Sequence, residues 1–338
     1  MVPLYGAMCK PPIKPIVAGA LTEAPGDVIV ALMDAGSVFP AASALVAEPP
    51  FVVRRPAGEL AGPLVFASPH SGRLYPEQLM AASQLDAMAI RRSEDVLVDQ
   101  LIDGGLEHGA SLIAAAFARA YVDVNREPYE LDAAMFEDEL PDFARSRSPR
   151  AAAGLGSIAR IVAEGQEIYD HKLTFAEARG RIEAIHTPYH MALKDLVQEA
   201  RVQFSAAVLV DWHSMPAAAA RPIGRDGCDV VLGDRFGAAC ASGLTDAVEA
   251  AFTGLGYRVS RNTPYAGGYT TEFYGRPDAG VHVLQIELNR SLYLDEATLQ
   301  PHAGYATLKA NLELVFTAVA GIASELAAAA QSGCGKEP

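Results

Sequence analysis

Positions 208–214 read VLVDWHS, a run of apolar and β-branched residues that leads directly into His213. Such a run predicts a strand covered on both faces, as in a parallel sheet packed between helices. Positions 64–72 repeat the arrangement, because LVFA is followed by SPHSG with His70 at its centre. Both histidines are therefore predicted at the strand ends where open α/β sheets form their ligand crevice.

On both sides of these two segments, from Phe51 onward, short apolar runs alternate with long amphipathic ones. The predicted strands are 64–68, 111–116, 206–211, 229–232, 257–260 and 282–288. The predicted helices are 86–104, 158–170, 176–200, 236–252 and 299–329. This alternation predicts a three-layer α/β/α fold with a mainly parallel mixed sheet, and one catalytic domain over residues 51–330. Residues 1–50 are predicted as an N-terminal arm of uncertain order, and residues 133–157 as an irregular loop beside the active site.

The composition argues against several classes of partner. The net charge is −14 and no basic block is present, so we expect no nucleic acid partner. Charged residues or glycine interrupt the apolar runs, so no membrane span is expected. The four cysteines lie far apart without a C-x-x-C pair, which favours a reducing cytoplasm. The sequence does not indicate an oligomeric state.

His70 and His213 are the first two predicted ligands of a metal ion. Neutral imidazole suits Zn²⁺, and a catalytic zinc commonly has three protein ligands and one position open for water. A carboxylate from the segment Glu94-Asp95 is the predicted third ligand, with Asp95 preferred and Glu94 as the alternative. The competing interpretation is that each histidine only hydrogen-bonds backbone carbonyls at its strand end.

Two further aspartates are candidates for supporting this site. Asp99 lies four residues after Asp95, so the two share a face if the segment is helical. One could then ligate while the other supports it, or both could simply be solvated. Asp211 lies two residues before His213 and points to the same side of the strand, which makes it a candidate partner of the imidazole. Alternatively, Asp211 is a buried carboxylate satisfied by backbone donors.

Glu287 is the predicted general base, because a carboxylate inside the apolar strand 282–288 is costly without a partner or a task. Its alternative role is an ion pair with Arg290 or another arginine. Arg126 has the planar fork that fits a carboxylate, and Asn125 adds a neutral amide beside it. Arg126 could equally pair with Asp123, Glu127 or Glu130 and only close a loop.

The segment NTPYAGGYTT at 262–271 has the proline and paired glycines of a tight loop or a closing lid. Gly267 and Gly268 could allow backbone to approach a substrate, which Tyr269 could cover. The same residues could form only a turn.

Taken together, these motifs resemble the N-formylglutamate amidohydrolase family, whose fold is similar to that of the zinc-dependent carboxypeptidases and other zinc exopeptidases. The matching segments are SPHSGRLYP at 68–76, SEDVLVDQL at 93–101, YVDVNR at 121–126, DWHS at 211–214, NTPYAGGYTTEFYG at 262–275 and VLQIELNR at 283–290. Carboxypeptidases take their first histidine and a glutamate from one H-x-x-E stretch, whereas Ser-Gly-Arg follows His70 here. The third ligand must therefore come from elsewhere.

The resemblance implies one Zn²⁺ per chain at His70, the Glu94-Asp95 carboxylate and His213. It also implies Glu287 as base and Asn125 and Arg126 as binders of the substrate's α-carboxylate. The implied reaction is hydrolysis of N-formyl-L-glutamate to formate and L-glutamate, a step of amino-acid degradation such as histidine catabolism. A nearby arginine would stabilise the oxyanion, and Glu287 and Arg126 are our predicted catalytic residues. The substrate's second carboxylate needs another cation, with Arg290, Arg261, Arg276 and Arg92 as candidates.

Two other functions remain open at this point. The chain could be a metallo-amidase for other N-acyl amino acids or small peptides. It could also be a binding protein for acidic amino-acid derivatives that has no turnover, although the presence of Glu287 argues against that.

Overall fold

The computed structural model describes residues 48–57, 62–162, 165–221 and 227–333. Apart from its last three residues, the predicted N-terminal arm lies outside these ranges. The strands are β1 (Phe51–Arg54), β2 (Leu64–Ser68), β3 (Ser111–Ala115), β4 (Ala207–Met215), β5 (Val230–Gly233), β6 (Val259–Arg261), β7 (Val281–Asn289), β8 (Leu294–Asp295) and β9 (Gln300–Pro301). The α-helices are α1 (Glu77–Ala82), α2 (Ala87–Ile90), α3 (Val98–Leu101), α4 (Pro149–Ala152), α5 (Phe175–Arg181), α6 (Thr187–Phe204), α7 (Ser242–Gly254), α8 (Tyr269–Tyr274) and α9 (Gly304–Gly333).

Within these described ranges, seven strands form one mixed sheet in the order β1-β3-β2-β4-β7-β5-β6. The four central strands β3, β2, β4 and β7 are parallel to one another. Strand β1 runs antiparallel to β3, and β5 runs antiparallel to β7 while pairing in parallel with β6. The predicted mainly parallel mixed sheet is therefore confirmed.

Alternating side chains of the central strands divide the core into two layers. On β4, Leu209 packs with helices α5 and α6, whereas Val208 and Val210 pack with α3, α7 and α9 on the opposite face. Parallel pairing aligns Asp211 with Gln285 and His213 with Glu287, so these four side chains lie on one face. The face that carries Leu209 thus becomes polar toward the carboxyl end of the sheet, which is where the site forms. The three-layer α/β/α arrangement is confirmed.

The predicted helix over 86–104 is wrong. The segment contains α2, a short 3-10 turn and α3, with a break at Leu97, whose φ is 63°. The Asp95 amide donates to the His70 carbonyl at 3.0 Å, which a continuous helix would not allow. Asp95 and Asp99 consequently do not share a helical face, and Asp99 pairs with Arg73 instead.

The predicted helix over 158–170 is also wrong. Its backbone folds back on itself, since the Ile168 amide donates to the Arg160 carbonyl at 2.8 Å and the Val162 amide to the Gln166 carbonyl at 2.9 Å. Ile158, Val162 and Ile168 are buried in the core. Their spacing is typical of a helix, but here it belongs to an irregular segment. By contrast, the predicted helix over 176–200 is confirmed as α5 and α6, joined by a π-helical turn at Ile182–His186.

By length and composition alone, helix α9 is long and apolar enough to cross a membrane. A window of 18 residues within Gly304–Ser332 has a mean hydropathy of 1.6, and 33% of that window is buried. Only Lys309, Glu313 and Glu325 interrupt the run with charge. One side of the helix is buried and packs on the sheet through Leu312, Phe316 and other apolar residues.

Candidate active site

Two strand ends bring the predicted histidines together. His70 follows β2 directly, and His213 lies near the end of the neighbouring strand β4. Their ring centroids are 4.7 Å apart, and both side chains are buried. Asp95 joins them because its backbone amide is bound to the His70 carbonyl. The parallel pairing of β2 with β4 is thus what converts two distant sequence motifs into one cluster.

The three side chains place suitable ligand atoms around one point. Asp95 Oδ2 lies 3.0 Å from His213 Nδ1 and 3.5 Å from His70 Nδ1. The ligand atoms of His70, Asp95 and His213 all lie within 4.8 Å of one another. His70 Nδ1 is buried and has no hydrogen-bond partner among the described residues, an arrangement that is costly unless a ligand occupies it. The donor set of two imidazoles and a carboxylate is one that suits zinc.

A carboxylate holds the far nitrogen of each imidazole. His70 Nε2 lies 2.7 Å from Asp123 Oδ1, and His213 Nε2 lies 3.1 Å from Asp211 Oδ2. An imidazole that donates its Nε2–H to a carboxylate presents the Nδ1 lone pair toward the cluster, and it becomes a more basic ligand. Asp211 was predicted in this position. From the sequence, Asp123 is expected only as a possible partner of Arg126. The local pattern around Asp123 does not indicate its contact with His70.

Opposite charges tune the ionisation of this cluster. Burial by itself raises the pKa of Asp95, but contacts with His213 and His70 outweigh it and hold the pKa well below the usual value. Burial lowers the pKa of His213, but Asp211 and Asp95 raise it well above the usual value. For Asp123, burial is opposed by Arg119 and His70, and the pKa is again well below the usual value. The two aspartates are therefore ionised at neutral pH.

Glu287 lies across from His213 on the adjacent strand β7 and lines the same cavity. Its Oε1 accepts a hydrogen bond of 2.9 Å from Gln285 Nε2, and Gln285 Oε1 in turn accepts one of 2.7 Å from the Gly268 amide. Burial raises the pKa of Glu287 to about 7, against the opposing influence of His213. A carboxyl group with that pKa can both accept and return a proton near neutral pH.

Glu94 occupies a different environment from Asp95. Arg91 Nε donates to Glu94 Oε2 at 2.9 Å, and the Tyr75 hydroxyl donates to the same oxygen at 3.1 Å. Neighbouring residues of an extended backbone point to opposite sides, which separates these two carboxylates. Of the two alternatives, the structure brings Asp95 into the cluster and ties Glu94 to Arg91.

Asn125 is a buried connector within the site. Its Nδ2 donates to Asp211 Oδ2 at 2.9 Å and lies 2.9 Å from His213 Nε2, while its Oδ1 accepts from the Thr270 amide at 2.8 Å. A Cβ on Gly268 would come within 2.8 Å of the Asn125 amide group. The close approach that Gly268 permits is therefore to Asn125, and the amide expected to bind substrate is engaged with protein groups.

Arg126 and Arg290 line the cavity, but both have protein partners. Arg126 donates to the carbonyls of Leu155 and Asn125 at 3.0 and 2.9 Å. Arg290 donates to Asp95 Oδ1 at 3.0 Å and to Ser214 Oγ at 3.1 Å. Arg290 thus holds the carboxylate of Asp95 in place beside His70 and His213. Of the other arginines considered for a second carboxylate, Arg92 lines the cavity. Arg261 pairs with Asp246 and Glu249, and Arg276 donates to the carbonyls of Glu272 and Gly275.

Tyr269 lies outside the cavity lining, which corrects its expected role as a cover. Its ring packs against His186, His190 and Phe273. Tyr265, from the same loop, lines the cavity instead. The cavity has a volume of about 730 Å³ and also includes Arg119 and Arg150, neither of which was singled out from the sequence. Arg119 donates to Asp123 Oδ2 at 2.7 Å. The only indication of this pair in the sequence is that Arg119 lies four residues before Asp123.

Comparison with known proteins agrees with this geometry. The family model described as N-formylglutamate amidohydrolase matches residues 62–294, which is more than half of the chain. The solved structure of N-formylglutamate amidohydrolase from Ralstonia eutropha JMP134 is 37% identical with a TM-score of 0.78, and the match covers 82% of this chain and 99% of that one.

Two curated bacterial proteins are also similar. N-formylglutamate deformylase of Pseudomonas aeruginosa is 29% identical over 237 residues, which cover 69% of this chain and 83% of that protein. N-formylglutamate deformylase of Pseudomonas putida is 28% identical over 237 residues, with 69% and 82% covered.

Proposed function

Because the chain belongs to the N-formylglutamate amidohydrolase family, and is accordingly a hydrolase of a linear amide, we propose that it hydrolyses N-formyl-L-glutamate to formate and L-glutamate with one Zn²⁺ per chain. The observation that carries the zinc assignment is the buried cluster of His70, Asp95 and His213, in which His70 Nδ1 has no partner among the described residues. In this proposal Asp95 rather than Glu94 is the third ligand, because Glu94 is held by Arg91 and Tyr75.

The surrounding residues fit a catalytic zinc. When bound, zinc supplies Lewis acidity that lowers the pKa of a coordinating water toward about 7 and polarises a carbonyl group. Asp123 and Asp211 orient His70 and His213 through their Nε2 atoms. Arg290 keeps Asp95 in place and neutralises part of the negative charge around it. The chain therefore provides three ligands and the groups that hold each of them.

Glu287 is the proposed general base and acid. It accepts a proton from the water that attacks the formyl carbon, and the new C–O bond gives a tetrahedral intermediate. It then returns that proton to the departing amide nitrogen as the C–N bond breaks, which yields formate and the free amino group of glutamate. The hydrogen bond from Gln285 fixes the carboxylate for both transfers.

The cationic wall of the cavity would receive the carboxylates of the substrate. Arg126 and Arg119 are both attached to the segment that carries Asp123 and Asn125, next to the ligands. We propose that they bind the α-carboxylate and stabilise the oxyanion. Asn125 then acts through His213 and Asp211 rather than by contact with substrate.

A second candidate function is hydrolysis of other N-acyl amino acids. The cavity of about 730 Å³ is larger than a formyl group requires, so a longer acyl chain would also fit. We also propose a cytoplasmic location and a role in amino-acid degradation such as histidine catabolism. The location is supported by Cys228 and Cys240, which are both buried free thiols.

The test is to purify the protein, measure zinc by elemental analysis, and follow free amine and formate from N-formyl-L-glutamate, N-acetyl-L-glutamate and N-formyl-L-alanine. We expect about one zinc per chain and the highest kcat/KM with N-formyl-L-glutamate. His213→Ala and Asp95→Ala should lose zinc and activity together, whereas Glu94→Gln should keep zinc. Zinc well below one equivalent, or a clear preference for another acyl group, would contradict the proposal.

A further inference from the structure

Among the residues that the structure describes, six arginines line the cavity, and Arg150 differs from the other five in its partners. Arg119 pairs with Asp123, Arg235 with Glu272, and Arg290 with Asp95. The side chain of Arg150 makes no hydrogen bond and no ion pair with any residue in the described part of the chain. A guanidinium group that faces a cavity without a protein carboxylate is available to an anionic ligand.

The loop that carries Arg150 is anchored at Glu130, which lies shortly after Asp123 and Asn125 in the chain. The Ser157 amide donates to the Glu130 carbonyl at 2.8 Å, and Ser148 Oγ donates to the Glu130 carboxylate. Gly156 lies so close that a Cβ there would come within 2.1 Å of the Glu130 carbonyl oxygen. Arg150, at the start of α4 between Ser148 and Gly156, is therefore held at the cavity wall from both sides.

Positive charge is in excess at this wall. The carboxylate of Asp123 is fully used, since Oδ1 accepts from the Asn125 amide and contacts His70 while Oδ2 accepts from Arg119. Burial lowers the pKa of Arg126, and the neighbouring charges of Arg119 and Arg150 lower it further against the opposing effect of Asp123. Guanidinium groups that repel one another in a cavity are stabilised by an anion bound between them.

We propose that Arg150 binds the side-chain carboxylate of the substrate and thereby selects dicarboxylic over neutral N-formyl amino acids. This inference rests on the proposed function. The α-carboxylate sits on the same carbon as the reacting nitrogen, so it must bind near the metal cluster, beside Arg119 and Arg126. The side-chain carboxylate extends away from that carbon, and Arg150 reaches the cavity from an outer loop rather than from the segment that supports the ligands.

The test compares N-formyl-L-glutamate with N-formyl-L-glutamine, which has the same shape but no side-chain charge. For Arg150→Gln we expect kcat/KM with N-formyl-L-glutamate to fall roughly 10- to 100-fold, mainly through KM, because a charged hydrogen bond is lost. The value with N-formyl-L-glutamine should change less than about 3-fold, which separates lost recognition from general damage. Arg150→Lys should recover part of the loss because it restores the charge.

Arg147→Gln is the matched control, because Arg147 is exposed on the same loop and does not line the cavity. It should leave both substrates unaffected. An equal loss with both substrates in Arg150→Gln, or no loss at all, overturns the proposal. If the wild-type protein does not turn over N-formyl-L-glutamate, the proposed function fails. In that case, calorimetry measures the binding of both compounds to the wild-type protein and to Arg150→Gln, which tests the role of Arg150 independently of turnover. Equal affinities of the wild-type protein for the two compounds would reject that role.

Discussion

Among single residues, Glu287 is the one whose proposed role is easiest to separate from the proposed binding of zinc. It lies opposite His213 in the sheet, but its carboxylate accepts a hydrogen bond from Gln285. Glu287 does not belong to the cluster of His70, Asp95 and His213. Replacing Glu287 with Gln keeps the shape of the side chain and removes the proposed proton acceptor. We expect kcat to fall roughly 10²- to 10⁴-fold, the usual range for a lost general base, while zinc content stays at the wild-type level.

Kinetics and elemental analysis on the same preparation check this expectation. Glu249→Gln, which neutralises a carboxylate on α7 away from the cavity, should behave as wild type. If Glu287→Gln retained more than about a tenth of the wild-type kcat, a different group would have to accept the proton.

The sequence could reveal some of these residues and not others. His70, His213 and Glu287 were predictable because each is a polar residue that interrupts or follows a strongly apolar strand. The contact of Asp123 with His70 joins residues 53 positions apart, and no local pattern reports such a pair. Arg150 was not predictable for the same reason, since only the anchoring of its loop to Glu130 places it in the cavity.

At the scale of elements, the junction of the π-helical turn with α6 fixes the segment that supports the site. His186 Nε2 donates to the Arg126 carbonyl at 2.8 Å, and His190 Nε2 donates to the Val124 carbonyl at 2.6 Å. These carbonyls flank Asn125, so one helical face holds the backbone on both sides of it. The His186 and His190 rings also pack against each other and against Tyr269, with Tyr274 stacked on His190. His186 and His190 thus hold the backbone on both sides of Asn125.

This contact predicts a loss of stability in acid. Burial, aided by the neighbouring His186, lowers the pKa of His190 to about 3, and burial also lowers the pKa of His186. An unfolded histidine has a pKa of about 6.5, so the unfolded state binds protons first as the pH falls. The contribution is complete above about pH 6.5 and decreases below it. For His190 alone we expect the free energy of unfolding to drop by about 1 kcal/mol between pH 7.5 and pH 5.5.

Denaturant unfolding at the two pH values measures this drop, and His190→Gln should reduce it because glutamine can donate to Val124 without titrating. His171→Gln removes an exposed histidine and should leave the wild-type drop intact. A drop of the same size in His190→Gln would show that the acid sensitivity arises elsewhere.

Elements differ in how well the sequence predicts them. The strands 64–68 and 282–288 agree with β2 and β7 because buried strands of a parallel sheet are rich in apolar residues, even though His282, Gln285 and Glu287 interrupt β7. The segments 86–104 and 158–170 have helix-like spacing, yet long-range backbone contacts such as Asp95 to His70 override it. The predicted helix over 236–252 begins only at Ser242, because Arg235 and Phe236 adopt positive φ. Tertiary contacts therefore decide the elements nearest the site.

At the scale of the whole molecule, strand order is the feature that the sequence least constrains. Alternating apolar runs predict a sheet between helices, and the structure confirms that arrangement. They do not predict that β5 and β6 run antiparallel to β7, nor that β1 caps the other edge. That order nevertheless places β4 between β2 and β7, which brings His70, His213 and Glu287 to one end of the sheet.

In the proposed zinc site, the same topology would make the ion a link across the core, because His213, His70 and Asp95 come from β4, the turn after β2 and the segment before α3. The unfolded chain cannot hold these side chains together, so zinc at the proposed site would bind only the folded state and would stabilise it by mass action. At a free zinc concentration about 100 times the dissociation constant, this contribution is about 2.7 kcal/mol. Removing zinc with a chelator should therefore lower Tm by several degrees, and adding zinc back should restore it.

Scanning calorimetry before and after chelation measures that shift, and Asp95→Asn provides the matched control. Asparagine retains the size of the side chain but loses the charged ligand, so this variant should begin with the lower Tm and respond little to chelator or added zinc. Glu94→Gln should respond as wild type, since Glu94 contacts Arg91 and Tyr75 rather than the cluster. An unchanged Tm on zinc removal from the wild-type protein would mean that the ion does not link these elements. A normal zinc response in Asp95→Asn paired with a lost response in Glu94→Gln would instead assign the third ligand to Glu94.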